Sequence, residues 1–409
     1  MGLMLKNRGA VLILMLNIFL VFMGIGLIIP IMPKFMNSLG ISGSTIGLLV
    51  ATFSLTQFLF SPLAGRLADS YGRKRMIVIG MIVFAFSEAL FGLANDPVLL
   101  FVSRMLGGVS AAMIMPAVMA YVADITTQDE RAAGMGYINA AITTGFIIGP
   151  GIGGYIAEFG IRVPFYAAGA AGLIAGIISL FVLRESLSLK EASPDSSGSS
   201  ASTDKESSFI SQLLHSYREP FFLSLIIVFV MSFGLANFET VFGLFVDHKF
   251  GFEPGDIAFI ITFGSIAGAV VQATAFSWIL KRFGEKNVIS VCLLFAGIFI
   301  LMTLFVHKFW MIFAVTFIVF LAIDILRPAI GTQMSKLAAD RQGYVAGLNS
   351  AYTSLGNIAG PILAGYLFDI NINYPYTLAC IVLLICFGLS LRVGKKVSAP
   401  SPEGRSSAT

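Results

Sequence analysis

Apolar residues along the chain fall into twelve long runs that are separated by short polar stretches. The first six runs cover residues 10–33, 45–64, 76–94, 98–121, 134–157 and 163–183. The other six cover residues 221–246, 256–279, 287–306, 309–331, 343–367 and 374–391. A helix needs about 20 mostly apolar residues to cross the hydrocarbon of a bilayer. The pattern therefore predicts an all-α membrane protein with twelve transmembrane helices.

Composition agrees with a chain that lives in a lipid bilayer. Hydrophobic residues make up 57% of the 409 residues and charged residues only 12%, whereas soluble domains have about 25% charged residues. The net charge is +4, but in a membrane protein the position of the basic residues relative to the spans matters more than their sum. Nucleic acid is therefore not an expected partner.

Basic residues are divided unequally between the two sides of the predicted membrane. Of the 26 Lys and Arg residues, twenty fall on the side of the termini and only four on the other side, namely Lys34, Arg162, Lys249 and Lys308. Short cytoplasmic loops carry the excess of Lys and Arg in membrane proteins. Both termini are therefore predicted to be cytoplasmic. The first run is too long for the apolar region of a cleavable signal peptide.

A polar segment divides the twelve runs into two sets of six. Residues 186–208 contain ten serines, which is a composition that cannot bury enough apolar surface to order itself. We predict a six-helix bundle at 1–184, a cytoplasmic linker at 185–219, a second bundle at 220–396 and a disordered cytoplasmic tail at 397–409.

The two halves also repeat one another in sequence. Residues of the fifth run recur 211 positions later in the eleventh: Gly136, Gly149-Pro150, Gly154-Tyr155 and Glu158 become Gly347, Gly360-Pro361, Gly365-Tyr366 and Asp369. Such parallel repeats are typical of transporters built from two related bundles. The predicted fold is two pseudo-symmetric six-helix bundles packed about a central axis.

Two motifs resemble those of a known family. Residues 65–75 read GRLADSYGRKR and resemble the loop between the second and third spans of the major facilitator superfamily, except that Ser70 stands where that family usually has Arg or Lys. Residues 145–154 read GFIIGPGIGG and resemble the fifth-span motif of its antiporters. With residues 123–127, 245–252 and 356–361, the chain is similar to the bacterial multidrug:proton antiporters of the NorA and Bmr type.

That resemblance implies a function and a location. Antiporters of this type expel hydrophobic, often cationic compounds, such as fluoroquinolones, ethidium and tetraphenylphosphonium, across the bacterial cell membrane. The proton gradient drives them, so no cofactor is expected, and we expect a monomer. The alternative is a proton-coupled symporter that imports a small organic solute on the same fold.

Two other classes of protein are less consistent with the sequence. An intramembrane enzyme needs a convergent nucleophile or metal cluster, whereas the three His residues lie in loops on opposite sides of the membrane, and no nucleotide-binding motif is present. We therefore expect neither an enzyme nor a metal site. A receptor is disfavoured because the linker and the tail lack an effector domain.

Five ionisable residues lie within the predicted spans, where each costs about 2.5 to 3.5 kcal/mol at a helix centre. Asp324 and Arg327 are three residues apart on one helix face, so we predict that they pair and hold a transferable proton. The alternative is a fixed ion pair that only orients helices. Glu239 has no cation near it in sequence, and it either binds a proton or a cationic drug or is protonated and bonded to a neighbouring helix.

The remaining two ionisable residues lie in the first half. Arg104 resembles the Arg of a fourth-span motif associated with proton transfer, although it could instead extend to the outer interface. Glu88 is expected to form a structural pair. The resemblance assigns proton coupling or substrate contact to Arg104, Glu239, Asp324 and Arg327.

Helical spacing suggests a pocket wall of aromatic, polar and acidic faces, which would attract lipophilic cations. Most Phe residues in such a protein instead face lipid or pack helices together. The predicted substrate-binding residues are Phe22, Ile25, Phe53, Gln57, Met115, Glu239, Phe242, Phe320, Thr353 and Asn357.

A conformational gate is predicted on the cytoplasmic side, where we expect Asp69 to pair with Arg73 or Arg131 only when that side is closed. Small residues and a proline of the fifth span would allow the helices to move. The predicted gate residues are Gly65, Asp69, Gly72, Arg73, Arg131, Gly149 and Pro150.

Overall fold

The computed structural model describes residues 7–186, 213, 215–219, 221–338 and 342–393. Within these residues the chain forms thirteen α-helices and two short 3₁₀ turns, with no strand. The first half contains α1 Arg8–Leu39, α2 Gly43–Tyr71, α3 Arg73–Leu93, α4 Pro97–Asp124, α5 Gln128–Ile156 and α6 Val163–Val182. The second half contains α7 Phe222–Phe250, α8 Pro254–Thr274, α9 Phe276–Phe283, α10 Glu285–Met302, α11 Phe309–Ala338, α12 Gln342–Ile370 and α13 Tyr374–Val393.

Eleven of the described helices are long and apolar enough to cross a membrane. The twelfth span is α12, which has 29 residues and packs against α7 and α2. The short helix α9 continues α8 beyond Ala275, whose carbonyl oxygen accepts a hydrogen bond from the Ile279 amide at 2.8 Å. The two together form the eighth span. The predicted all-α fold with twelve transmembrane helices is confirmed.

Helices α2 and α3 extend further than the apolar runs predicted. The charged stretch 65–75 was expected to be a loop, but α2 continues to Tyr71 and α3 begins at Arg73, so Gly72 alone joins them. Its φ of 106° lies where side chains other than hydrogen are strained. Gly284, with a φ of 75°, joins α9 to α10 in the same way. Charged residues end the apolar run here without ending the helix, because helices continue beyond the hydrocarbon.

The two halves use the same helix pairing. In the first half α1 packs on α5, α2 on α4, and α3 on α6; in the second, α7 packs on α12, α8 on α11, and α10 on α13. The predicted boundaries of the halves remain predictions, since most of the proposed linker and all of the proposed tail lie outside the described residues.

Glycines bring the first helix of each half close to the fifth. A Cβ added at Gly149 would lie 2.6 Å from the Met23 carbonyl oxygen of α1. One added at Gly360 would lie 2.6 Å from the Phe233 carbonyl oxygen of α7. The repeated Gly-Pro motif therefore packs helices together in both halves, as small residues do in membrane proteins.

The halves are joined at one end of the molecule. We call the end where α1 begins and α13 ends the near end, and the opposite end the far end. At the far end α2 packs on α12 and α5 packs on α8, and Lys34 of α1 forms an ion pair with Glu253. One apolar core there includes residues of both halves, such as Phe35 and Phe245, whereas the near-end residues of the first half form a separate core. The far end is therefore closed in this conformation.

Candidate functional site

An ion pair joins two helices in the interior of the second half. The Arg327 guanidinium of α11 lies 2.9 Å from the Glu239 carboxylate of α7. Half of the Arg327 side chain and about a third of the Glu239 side chain are exposed, at 50% and 35%. Because α7 also packs against α1 and α2, this pair lies beside the first half.

This arrangement corrects two sequence-based predictions. Arg327 was expected to pair with Asp324, and Glu239 was expected to lack a cation. Spacing of three residues brings side chains onto one face, but the long Arg327 side chain instead reaches across to α7. Sequence reasoning missed the pair because its members are 88 residues apart.

Asp324 lies against a glycine of the neighbouring helix. A Cβ added at Gly268 of α8 would come within 2.6 Å of the Asp324 Cβ and Cγ atoms. The Oδ2 atom of Asp324 is buried and has no hydrogen-bond partner among the described residues. Arg327 and Glu239 lie within electrostatic reach of it. A buried carboxylate oxygen without a donor is costly while it is charged, and a bound proton removes that cost.

Arg104 lies apart from this group, in the first half. Its guanidinium is 3.4 Å from the Glu88 carboxylate of α3 and stacks over the Phe91 ring at 4.2 Å. Both charged side chains are nearly inaccessible, at 8% and 4% exposed. Arg104 therefore does not extend to the interface, and the expected structural pairing of Glu88 is confirmed. The four residues assigned to coupling are thus divided between the two halves.

Two of the aromatic residues predicted to bind substrate belong to the core. Phe242 is 1% exposed and Phe320 is 8% exposed. Their rings pack edge to face with centroids 6.2 Å apart, and each also packs on Phe238. In this conformation neither ring faces an open pocket, so packing is the correct interpretation for both.

The other predicted substrate-binding residues are partly buried on helices of both halves. Phe22 packs on Phe146 with ring centroids 5.0 Å apart, and the Phe53 ring lies against Gly107 of α4. The remaining members, which the structure places on α1, α2, α4 and α12, are Ile25, Gln57, Met115, Thr353 and Asn357.

Arg73 of the predicted gate is the centre of a near-end cluster. Its side chain is 6% exposed and forms ion pairs with Asp69 at 2.7 Å and with Asp124 at 3.1 Å. Glu185 accepts a hydrogen bond from the Arg73 amide at 2.8 Å. Asp69, Arg73 and Asp124 belong to the first half, and Glu185 follows its last helix. The Asp69–Arg73 pair forms here while the far end is closed. That it forms only with a closed cytoplasmic side stays a prediction.

The other gate residues make local contacts. Arg131 donates to the Ala123 carbonyl oxygen at 3.4 Å, and Pro150 lies against Gly26 of α1. Gly65 faces Pro116 of α4, in ordinary contact distance. Sequence reasoning missed Asp124, although residues 123–127 had been singled out for their resemblance to the antiporters.

Comparisons with known proteins agree over most of the chain. Multidrug resistance protein 2 of Bacillus subtilis is 52% identical over 94% of this chain and 95% of its own length. Multidrug resistance protein 1 of the same organism is 44% identical over 96% and 98%. The quinolone resistance protein NorA of Staphylococcus aureus is 41% identical over 90% and 92%.

Solved structures share the fold at low sequence identity. A bacterial homologue of the lysosomal transporter Spinster, in an inward-facing and unoccupied conformation, matches with a TM-score of 0.78 at 16% identity, over 95% of this chain and 97% of that one. The nucleoside transporter NupG matches with a TM-score of 0.68 at 18% identity, over 94% and 96%. The family model described as Major Facilitator Superfamily matches residues 14–271 and 224–408. With the repeated helix pairing and the similarity to its relatives, these matches establish that the chain belongs to the Major Facilitator Superfamily.

Proposed function

We propose that this protein is a multidrug efflux transporter that exports hydrophobic, often cationic compounds from bacterial cells in exchange for protons, by alternating access. The names of its relatives support the substrate class. The observation that carries the proposed coupling is the Glu239–Arg327 pair with the Asp324 carboxylate beside it. With one cation, Arg327, shared between two acids, Glu239 and Asp324, binding of a cationic drug at one acid can be coupled to loss of a proton from the other.

The near end is proposed to face the cytoplasm. Arg66, Lys74, Arg75 and other basic residues lie there, whereas few Lys and Arg residues lie at the far end. This distribution follows the excess of Lys and Arg in short cytoplasmic loops. In this orientation the closed far end is the outer side, and the conformation is the one that receives substrate from the cell.

The proposed exchange uses Glu239, Arg327 and Asp324. A cationic compound that approaches Glu239 competes with Arg327 for the carboxylate. Once released, the Arg327 guanidinium can turn to Asp324, which is three residues away on the same helix face. A cation beside Asp324 favours its charged form, so the Asp324 carboxyl gives its proton to water on the cytoplasmic side. Drug uptake into the site and proton release are thereby coupled.

Return of the empty carrier reverses these steps. After release of the compound outside, a proton from the outer side neutralises Asp324, and Arg327 pairs again with Glu239. Only these two states, drug-loaded or protonated, leave the charges of the site balanced. Buried charges left without a partner are strongly unfavourable, which disfavours movement in the other states.

Ethidium flux in inside-out membrane vesicles tests this function. An acidic lumen should drive uptake of ethidium into the vesicles, and a protonophore should abolish the uptake. Vesicles that carry Glu239→Gln, prepared with the same amount of protein and membrane, provide the matched control. Absence of gradient-driven uptake over a broad panel of cationic and neutral compounds would instead favour the proton-coupled symporter.

A further inference from the structure

The two contacts that close the far end differ in one respect. At the α2–α12 contact, the Asp369 carboxylate accepts hydrogen bonds from the backbone amides of Gly43 at 2.7 Å and Ser44 at 2.9 Å. We call this contact the first seam. A carboxylate on the first amides of a helix is a favourable cap, since it satisfies free N–H groups and the helix dipole. The first seam is therefore held by charge-assisted hydrogen bonds between the two halves.

The α5–α8 contact, which we call the second seam, cannot form the same bonds. By the 211-residue repeat, Glu158 takes the place of Asp369 and Pro254 takes the place of Gly43. Proline has no backbone N–H, so one of the two donors is missing. The Glu158 side chain has no hydrogen bond or ion pair within the described part of the chain. The equivalent carboxylate is therefore present in the second seam, but it does not cap the start of α8.

A cavity of about 580 Å³ lies at the second seam instead. Tyr155 and Glu158 line it from the first half, and Phe259, Phe309 and Trp310 line it from the second. Small-molecule sites usually have volumes of about 300 to 1,000 Å³. The cavity is therefore large enough for an organic ligand with several rings.

Charge and aromatic lining indicate the class of ligand. Three carboxylates face the cavity, those of Glu158, Glu253 and Asp256, against one cation, Lys34. Lys34 pairs with Glu253, and Asp256 accepts a hydrogen bond from the Glu253 amide at 3.1 Å. Glu158 remains available for a ligand, beside rings that attract cations through their faces. We propose that this cavity is a second binding site, which takes aromatic organic cations from the outer side.

Occupancy of this site would favour one conformation. Its walls come from both halves, so the cavity exists while the far end is closed. A ligand that binds one state alone shifts the population toward that state. Aromatic cations that accumulate outside therefore hold the far end closed and slow further export. This consequence rests on the proposed function and on its orientation, whereas the site itself rests on its lining.

Equilibrium binding of propidium to the full-length protein in phosphatidylcholine nanodiscs tests the site. Propidium is an aromatic dication whose fluorescence reports binding, and no proton gradient is needed. We expect Glu158→Gln to weaken binding at the outer site about tenfold, equivalent to about 1.4 kcal/mol. The matched control is Asp96→Asn at the same end, where Asp96 caps α4 through the Leu99 amide and Asn is an equally good cap. It should bind as the wild type does.

A variant of Glu239 distinguishes the proposed outer site from the site at Glu239 and Arg327. Glu239→Gln should leave the component of propidium binding that depends on Glu158 unchanged. Equal propidium binding by the wild type and Glu158→Gln would overturn the proposal. Equal losses of binding in Glu158→Gln and Asp96→Asn would overturn it as well, because the cation would then be attracted by the general negative charge of this surface. Failure of ethidium transport with intact binding through Glu158 would contradict the proposed function and leave the site standing.

Discussion

Arg327 on α11 pairs with Glu239 on α7, although the nearer acid in sequence is Asp324 on its own helix. The pair joins two helices of the second half beside the contact with the first half. A drug-like cation that binds the Glu239 carboxylate competes with the Arg327 guanidinium for it. Efflux should therefore depend on the pair as a unit.

A double-mutant cycle on Glu239 and Arg327 tests this dependence. We expect Glu239→Gln to reduce ethidium efflux about tenfold, with a smaller effect on neutral compounds that do not need the carboxylate. Arg327→Gln should reduce efflux as well. The double variant should lose less than the product of the two single losses, because residues in contact couple by about 0.5 to 3 kcal/mol. Independent, multiplicative losses in efflux rate would show that the pair does not act as a unit.

Asp324→Asn keeps the size of the side chain and removes the proton-binding group. Gradient-driven efflux should be lost, because no group remains to carry the proton, while the abundance of the protein in the membrane persists. Flux measured under an imposed pH gradient checks this, with Asp129→Asn at the exposed start of α5 as the control. Undiminished gradient-driven transport by Asp324→Asn would rule out the coupling role.

Gly268→Ala should impair coupling although it replaces no charged residue. The added methyl would lie 2.6 Å from Asp324 Cβ and Cγ, well inside contact distance, so the carboxylate must move. Gly331→Ala on α11 is the matched control, since a Cβ there meets no atom within 4 Å and alanine favours the helix. The measurement is the ratio of gradient-driven to gradient-independent ethidium flux. The two alanine variants should differ, and equal ratios would contradict the role of Gly268.

Asp369→Ala should loosen the first seam. Loss of two charge-assisted hydrogen bonds removes a few kcal/mol at most, so we expect the far end to open about tenfold more often. A reporter cysteine at Ile46, which is 1% exposed, measures the opening by its labelling rate. Background should be low because Cys292, Cys380 and Cys386 are all buried. Glu158→Ala serves as the control and should leave labelling unchanged, whereas faster labelling in both variants would contradict the difference between the seams.

Arg104→Leu should destabilise the first half. Removal of one partner leaves the Glu88 carboxylate buried without a counter-ion, which costs about 3 to 5 kcal/mol. We expect a lower melting temperature of the purified protein and less of it in the membrane. Glu88→Leu combined with Arg104→Leu should recover much of the loss, since apolar residues often replace a buried pair without cost. If the double variant stayed as unstable as the single one, the pair would not explain the effect.

The fold could be predicted from the sequence because each membrane-spanning helix appears as one continuous run of apolar residues. Long apolar runs predicted the twelve spans, and the 211-residue repeat predicted two related halves. Helix ends were less predictable: the stretch from Gly65 to Arg75 is charged, yet Gly72 alone interrupts the helices. Hydropathy marks where a helix leaves the hydrocarbon, whereas the helix itself continues until its backbone hydrogen bonds end.

The site could be predicted only in part. Ionisable residues stand out in apolar runs, so the five were found, but their partners depend on how helices pack. Glu239 and Arg327 meet across 88 residues, and Asp69 shares Arg73 with Asp124. Sequence spacing on one helix gave Asp324 as the partner of Arg327 because it considers only neighbours on that helix. Likewise, spacing placed Phe242 on a pocket wall, but it cannot show which face another helix covers.

Because Pro254 has no backbone N–H, we expect the two seams to differ in how readily they open. The seam at Asp369 has two hydrogen bonds from backbone amides, whereas the polar contact beside the seam at Glu158 is an exposed Lys34–Glu253 pair, and exposed pairs contribute about 1 kcal/mol or less. We expect the halves to separate first between α5 and α8 and to rotate about the α2–α12 contact, which acts as the hinge. An exported compound would then leave sideways, through a slit that faces the outer leaflet, before a path straight into the medium has opened. Lipophilic cargo would meet lipid first, and labelling at the two seams would reveal the order.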